Sequence, residues 1–505
     1  MAPHAESRSE ESCPFLSEDL EDAIKLEHRS GDVEQFPKSA CPTTPLNKAQ
    51  LASLCAVRLV DPIAFTQIFP YVNEMMEHLR VTEDPSKIGF YSGLVESSFA
   101  ISQLLSIYQW ARFSDRVGRR PVVLVGIAGI GISTLLLGFS RSLFGVLVAR
   151  FLGGFFSGNI AVIHSVLAEI TDATNQAIAF PIYGLCWPLG SIIGPLIGGS
   201  FSKPAEKFPA WFSYDFLREY PYFLPCLLAG ALAIVGTILG FFFLEETLPS
   251  KRRDRPSSQA CHPSISEKPQ PASIKYLLSI PVIRALCLSG CFLSFINTAF
   301  DVIFVLFCYS PIESGGLAFT AAEIGYSLAT SGVASACLQL FFMPYLLRRF
   351  DHAKMYNFCM GIWPYCYVLL PGLNLIARSG LDLQATDVTL SARVDPATKA
   401  LLWVGIGIIL TLARSAGLAF SVSMILVKDS APDPGSLGAT NGLAQFAMCL
   451  ARAFSPAFAS SLFALSAGSN FLPFRYLWVA VMAGISLFGT SFSRKIDEGR
   501  KHSRI

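Results

Sequence analysis

Residues 110–121 read Trp110-Ala111-Arg112-Phe113-Ser114-Asp115-Arg116-Val117-Gly118-Arg119-Arg120-Pro121, a block of charge between two long apolar stretches. Arginines, an aspartate and a glycine packed so closely suit a tight connection at a membrane surface. Gly118 permits the turn. The arginines belong in the anionic headgroup zone of the cytoplasmic leaflet. Asp115, at a helix end, can pair with them or cap the next helix. The rest of the chain demands a membrane. Only 15% of the 505 residues are charged and 52% are hydrophobic, where a soluble domain carries about 25% charged residues. A length near 500 would make roughly three soluble domains, and the polar surface for three is missing. So apolar a polymer does not stay solvated as a disordered chain either. A net charge of +2 gives no reason to expect nucleic acid.

A membrane-spanning helix needs about 20 predominantly apolar residues. By that ruler six spans lie near 50–72, 88–110, 121–140, 143–168, 176–199 and 221–244. Six more lie near 281–308, 319–343, 354–376, 400–427, 436–464 and 472–493. A polar stretch with Lys251-Arg252-Arg253-Asp254-Arg255 divides the two sets. Lys and Arg concentrate in the loop after span 2, in this stretch, after span 8 (Arg348, Arg349, Lys354) and in the C-terminal tail. With twelve spans these all fall on one side, which the positive-inside rule places in the cytoplasm. A weak repeat supports the division. Phe65, Ile68 and Phe69 match Phe300, Ile303 and Phe304 at an offset of 235, while Pro195 and Asp172 match Pro456 and Asp433 at 261. The expected fold is therefore an all-α membrane protein with twelve transmembrane helices in two pseudo-symmetric six-helix bundles. The bundles cover 49–244 and 281–493, joined by a cytoplasmic linker, 245–280. A disordered tail, 1–48, and a short cytoplasmic tail, 494–505, flank them; from Glu6 to Lys38 the first has ten acids against four bases.

Other classes fall away. The 13 cysteines are scattered, ten of them in apolar runs and none in a CxxC pair, so they read as small hydrophobes. Of seven histidines only His164 lies well inside a span, where it reads as a packed histidine; no metal site is expected. No Gly-x-x-x-x-Gly-Lys-[Ser/Thr] cradle for ATP phosphates is present. No cluster of catalytic polar residues suggests an enzyme, and no cofactor is implied.

The block at 110–121 resembles the loop motif of the major facilitator superfamily, Gly-x-x-x-Asp-Arg-x-Gly-Arg-Arg. Asp115, Arg116, Gly118, Arg119 and Arg120 match it, and Ala111 replaces the first glycine. The resemblance implies a cluster that latches the two halves in the outward-open state; the plainer reading is a positive-inside anchor. In span 5, Gly190-Ser-Ile-Ile-Gly194-Pro195-Leu-Ile-Gly198-Gly199 resembles the motif of proton-coupled antiporters in that superfamily. Gly190 and Gly194 form a small-xxx-small face for close helix packing, and Pro195 removes a backbone bond. Arg150, opening Arg150-Phe-Leu-Gly-Gly154, resembles the family's Arg-x-x-x-Gly element, which implies a part in proton coupling; the alternative is a cation snorkelling to the headgroups. The stretches Arg58-Leu-Val-Asp61-Pro62-Ile-Ala-Phe65, Phe90-Tyr-Ser-Gly-Leu-Val-Glu96-Ser97 and Leu437-Gly-Ala-Thr-Asn-Gly-Leu-Ala-Gln445 look like the fungal and plant drug:proton antiporters related to zinc-induced facilitators.

A charge inside an apolar span costs roughly 3 kcal/mol unless it faces a cavity or a partner, so the few present are candidate proton-coupling and substrate residues. They are Arg58, Asp61, Glu96, Arg150, Asp301 and Arg414, with Arg452 read as structural. Arg58 and Asp61 share a helical face and can simply pair. Pro62, after Asp61, helps open the helix there. A carboxyl in a low-dielectric cavity can bind and release a proton near neutral pH, and for Asp61 and for Glu96 this reading stands level with a structural ion pair. The expectation is a monomeric secondary transporter that exports a small organic molecule against inward proton flow; that the cargo is a secondary metabolite or xenobiotic is what the resemblance implies. Its partners are that molecule, protons and the bilayer of the plasma membrane, with the vacuolar membrane as the alternative. The competing functions are uniport or symport of a small solute or metal chelator, and a non-transporting sensor on the same fold.

Overall fold

A computed structural model of the chain describes residues 47–84, 87–171, 175, 179, 182–248, 274–380, 395–432, 437–467 and 472–502. The expected tail up to residue 46, most of the linker (249–273), and Asp172 and Asp433 of the repeat lie outside them. No strand occurs among the described residues. The long helices are α1 (Lys48–Thr66), α2 (Ile88–Val117), α3 (Arg119–Gly138), α4 (Leu143–Ile170), α5 (Ile182–Phe201) and α6 (Phe223–Phe243). There follow α7 (Pro281–Tyr309), α8 (Ala321–Arg349), α9 (His352–Ser379), α10 (Pro396–Ser430), α11 (Leu437–Ala467) and α12 (Leu477–His502).

Eleven of the twelve are long and apolar enough to cross a membrane. The exception is α2, which at 30 residues spans about 45 Å and lacks only apolarity. Its polar side chains Glu96, Ser97, Ser102, Gln103, Ser106 and Ser114 are buried against neighbouring helices instead of facing lipid. Helices also outrun the apolar stretches that announce them. α2 continues to Val117 and α8 to Arg349, past the expected ends at 110 and 343. Cations in a last turn suit both the helix dipole and the headgroups. Helix α1 runs unbroken through Pro62, which corrects the expectation that the helix opens there.

Apolar burial forms one large cluster drawn from residues 277–496, around Trp363, Tyr367 and Phe300. A second draws on residues 51–244. A third gathers residues 68–226 with Ala321. Two helix pairs join the first six helices to the last six. Along α2 and α11, Gly89 and Gly93 lie against Ser460 and the Pro456 carbonyl, and the Ala457 amide donates to Ser97 Oγ at 3.0 Å. Along α5 and α8, Gly199 faces Ala321 and Gly325, and Gly332 faces Ile192. Tyr309 at the end of α7 donates to Glu77, in the short helix Val72–His78. All these contacts lie in the parts of α2, α5 and α8 remote from the arginine block.

Candidate functional site

At the arginine block the expected loop contracts to one residue. Gly118, with φ +120° and ψ 156°, turns the chain directly from α2 into α3. That region is nearly closed to residues with a Cβ, and a Cβ there would stand 2.5 Å from Glu246 Oε2. Glu246 accepts the free amides of Arg119 (2.8 Å) and Arg120 (3.2 Å). It therefore caps α3, the role open to Asp115 from sequence. Asp115 takes the other course and pairs with Arg119 at 2.7 Å. Arg119 also reaches Glu169 of α4 at 3.1 Å. Arg120 donates to the Phe241 carbonyl and stacks on the Phe241 ring, while Arg116 is exposed. The cluster thus ties α2, α3, α4 and the end of α6 together. Replacing Gly118 with Ala should destabilise the protein by about 1–3 kcal/mol, and Glu246→Gln by about 0.3–1 kcal/mol. Thermal unfolding in detergent micelles checks both; an unchanged midpoint for Gly118→Ala would contradict this account of the corner.

The α5 motif has two working faces. A Cβ on Gly190, Gly194 or Gly198 would collide with Pro62, Thr66 and the Gln67 carbonyl respectively, so this row lets α1 come close. Gly199 and the Pro195 carbonyl turn instead toward α8. Pro195 lies within the helix. The glycine spacing marks the small face locally, but that it serves both a neighbour and the opposite group of helices depends on long-range packing.

The intramembrane charges divide into satisfied and unsatisfied. Asp61, 6% exposed, accepts from Arg58 Nη1 at 2.8 Å and from Ser157 of α4. Arg58 lies 5.6 Å from the Trp187 ring. Asp301 of α7 is held by Arg414 of α10, with Asn297 donating at 3.4 Å. Arg150 is 4% exposed, which rules out snorkelling; its guanidinium stands 4.6 Å from the Phe99 ring and 5.7 Å from that of Phe65. Its Nε and Nη2 have no hydrogen-bond partner among the described residues. Glu96 is 6% exposed and has neither hydrogen bond nor ion pair among the described residues. The charges within electrostatic reach of it are Arg150 and Asp301. Glu96 and Phe99 are three apart on one face of α2, which brings the Arg150 guanidinium within about a turn of Glu96. Arg452 of α11 reaches across to Gln103 of α2 at 3.2 Å. Gln103 was not singled out from sequence, because an uncharged side chain in a polar helix carries no signal of its own. His164 is exposed and meets Tyr183 edge-on at 5.7 Å, correcting its reading as a packed histidine. No group of three or more metal-ligating side chains assembles among the described residues.

The model of the family described as Major Facilitator Superfamily matches residues 54–456. The chain belongs to the Major Facilitator Superfamily. Major facilitator-type transporter psiT2 of Psilocybe cyanescens is 40% identical, covering 92% of this chain and 93% of that protein. The Major facilitator superfamily multidrug transporter mfsB of Aspergillus fumigatus is 30% identical (81% and 77% covered). Protein ZINC INDUCED FACILITATOR-LIKE 1 of Arabidopsis thaliana is 28% identical (84% and 86% covered). Both fungal transporters and plant zinc-induced facilitator-like proteins are thus relatives, as the motifs of α1, α2 and α11 indicated. This member of the superfamily is a multi-pass membrane transporter for small molecules and not an enzyme.

Proposed function

We propose that the protein exports a small organic molecule by proton antiport and alternating access, with Glu96 as the carboxyl that trades its proton for cargo. One contrast carries this reading. Asp61 and Asp301 are each held by an arginine, whereas Glu96, equally intramembrane and buried, is held by nothing among the described residues. A buried ionisable group without a partner is costly and marks a functional position. Its charged neighbours come from both sides of the molecule, Arg150 from the first six helices and Asp301 from the last six. Deprotonated, Glu96 offers its charge to Arg150 or to a cationic or amphipathic cargo. Protonated, it offers that charge to neither, and its hold on the cargo weakens. The Phe65, Phe99 and Trp187 rings, packed together near Arg150, offer faces on which an aromatic or cationic cargo stacks.

Two further observations support direction and cycle. The close helix contacts between the first and last six helices lie toward the end away from the arginine block, with the Gln103–Arg452 link the nearest to it, in keeping with an inward-facing state. The α5 motif resembles that of proton-coupled antiporters, and one relative is named a multidrug transporter. Inverted membrane vesicles with an acidic lumen, screened across organic cations, test the reading. Accumulation should need the pH gradient and stop when an ionophore dissipates it. Uptake that ignores the gradient would instead favour uniport.

A further inference from the structure

A continuous line of hydrogen bonds runs between the last six helices and the first, near the middle of α2, α4 and α11. Arg452 Nη2 on α11 donates to Gln103 Oε1 at 3.2 Å, and Gln103 Nε2 donates to Ser157 Oγ at 2.8 Å. Ser157 Oγ donates to Asp61 Oδ1, whose other oxygen accepts from Arg58 at 2.8 Å. Each link fixes the next. A guanidinium can only donate, so it sets which way round the Gln103 amide stands. The amide must then donate to Ser157, and the hydroxyl, having accepted, has one proton left for Asp61. The line therefore runs one way, from a cation on one group of helices to an anion on the other. Gln103 is 9% exposed and Ser157 fully buried, where hydrogen bonds polarise one another and an unmade one is costly.

Its position gives it meaning. The α2–α11 seam descends from Gly89 and Ser460 through Gly93 and Pro456 to Ser97 and Ala457. Gln103 and Arg452 come next, nearer the arginine block. The other groups facing Asp61 and Arg58 are Tyr183 and Cys186 of α5 and His164 of α4. All of these belong to the first six helices and move with Asp61. Arg452 does not. It also lies 3.6 Å from Cys449 Sγ on its own helix.

We propose that Arg452 is a positioning residue that acts through Gln103 and Ser157, tying the charge on Asp61 to closure of the α2–α11 seam. A charged Asp61 holds Ser157, Gln103 and hence Arg452 in register; neutralising it frees the hydroxyl to turn and loosens the cross-link. The proposal rests on the alternating-access reading but does not depend on Glu96 being the proton carrier.

A double-mutant cycle on the full chain in nanodiscs tests it. Spin labels on unnatural amino acids at the exposed Phe113 of α2 and Phe350 after α8 report the separation of the two groups at the arginine-block end. Their distance distribution gives the ratio of open to closed populations. Arg452→Met and Asp61→Asn should each shift that ratio at least threefold, and the double variant no further than the larger single. Arg452→Lys, which keeps a donor, should stay within twofold of wild type. Should Arg452→Met fail to fold, Gln103→Met cuts the line without touching a charge and completes the same cycle with Asp61→Asn. Additive effects at fixed pH would overturn the proposal. The wild-type ratio followed from pH 5 to 8 bears separately on proton coupling: a flat profile tells against antiport, while the cycle still decides the role of Arg452.

Discussion

Glu96→Gln should reduce gradient-driven transport by at least about 100-fold, the scale on which a positioned proton-transfer group acts, while leaving exchange of cargo for cargo at cargo concentrations high enough to offset its weaker binding. Glutamine keeps the shape and polarity of glutamate but neither titrates nor carries charge. It fits the same space on α2, three residues from Phe99, and still leaves Arg150 on the Phe99 and Phe65 rings. What disappears is the alternation of charge beside Arg150 and Asp301. Exchange needs only that the loaded carrier rock back and forth, which requires no proton. Loss of both activities together would point to a structural role for Glu96. Retention of gradient-driven accumulation would remove it from the mechanism and return attention to Asp61.

Gly198→Ala should be among the most damaging single-methyl changes in the chain. The added Cβ would stand 1.9 Å from the Gln67 carbonyl oxygen and 2.9 Å from its carbon. These are backbone atoms just past the end of α1, and they cannot rotate away as a side-chain tip would. Helix α5 must move off α1, which also disturbs Gly199 against Ala321 on its other face. The cost should reach or exceed the upper end of the roughly 1–3 kcal/mol typical of overpacking. Gly407 in α10 is the control. A Cβ there meets nothing within 4 Å, and alanine is the better helix former by roughly 1 kcal/mol. Gly407→Ala should therefore leave the thermal midpoint in micelles unchanged or higher, and Gly198→Ala should lower it sharply. Equal effects would show that glycine content, rather than the close approach of α1 and α5, is what matters.

The fold was legible because lipid imposes length and apolarity on whatever faces it. Spans, charged ends and the glycine row of α5 all follow from local rules of that kind. The motif at 110–121 located the corner but not its construction. Its cap, Glu246, lies 127 residues from Arg119 and reads locally as the start of a polar linker. The site was half legible. Scarcity of charge singled out Arg58, Asp61, Glu96, Arg150, Asp301 and Arg414, but pairing decides their roles, and pairing is long-range. Asp301 meets Arg414 from 113 residues away, while Glu96 is distinguished only by what does not bind it among the described residues. Gln103 and Arg452, 349 residues apart, show the limit most plainly. An amide has no charge to betray it, and its partner looked merely structural.

The most direct measurement is of protons moving with cargo. Purified protein in proteoliposomes with a weakly buffered lumen and an internal pH dye is given an inward gradient of an organic compound found by the vesicle screen. Antiport predicts that the lumen becomes alkaline as the compound enters, and that Glu96→Gln abolishes the change. Entry with the luminal pH unmoved, or with the lumen turning acid, would contradict antiport.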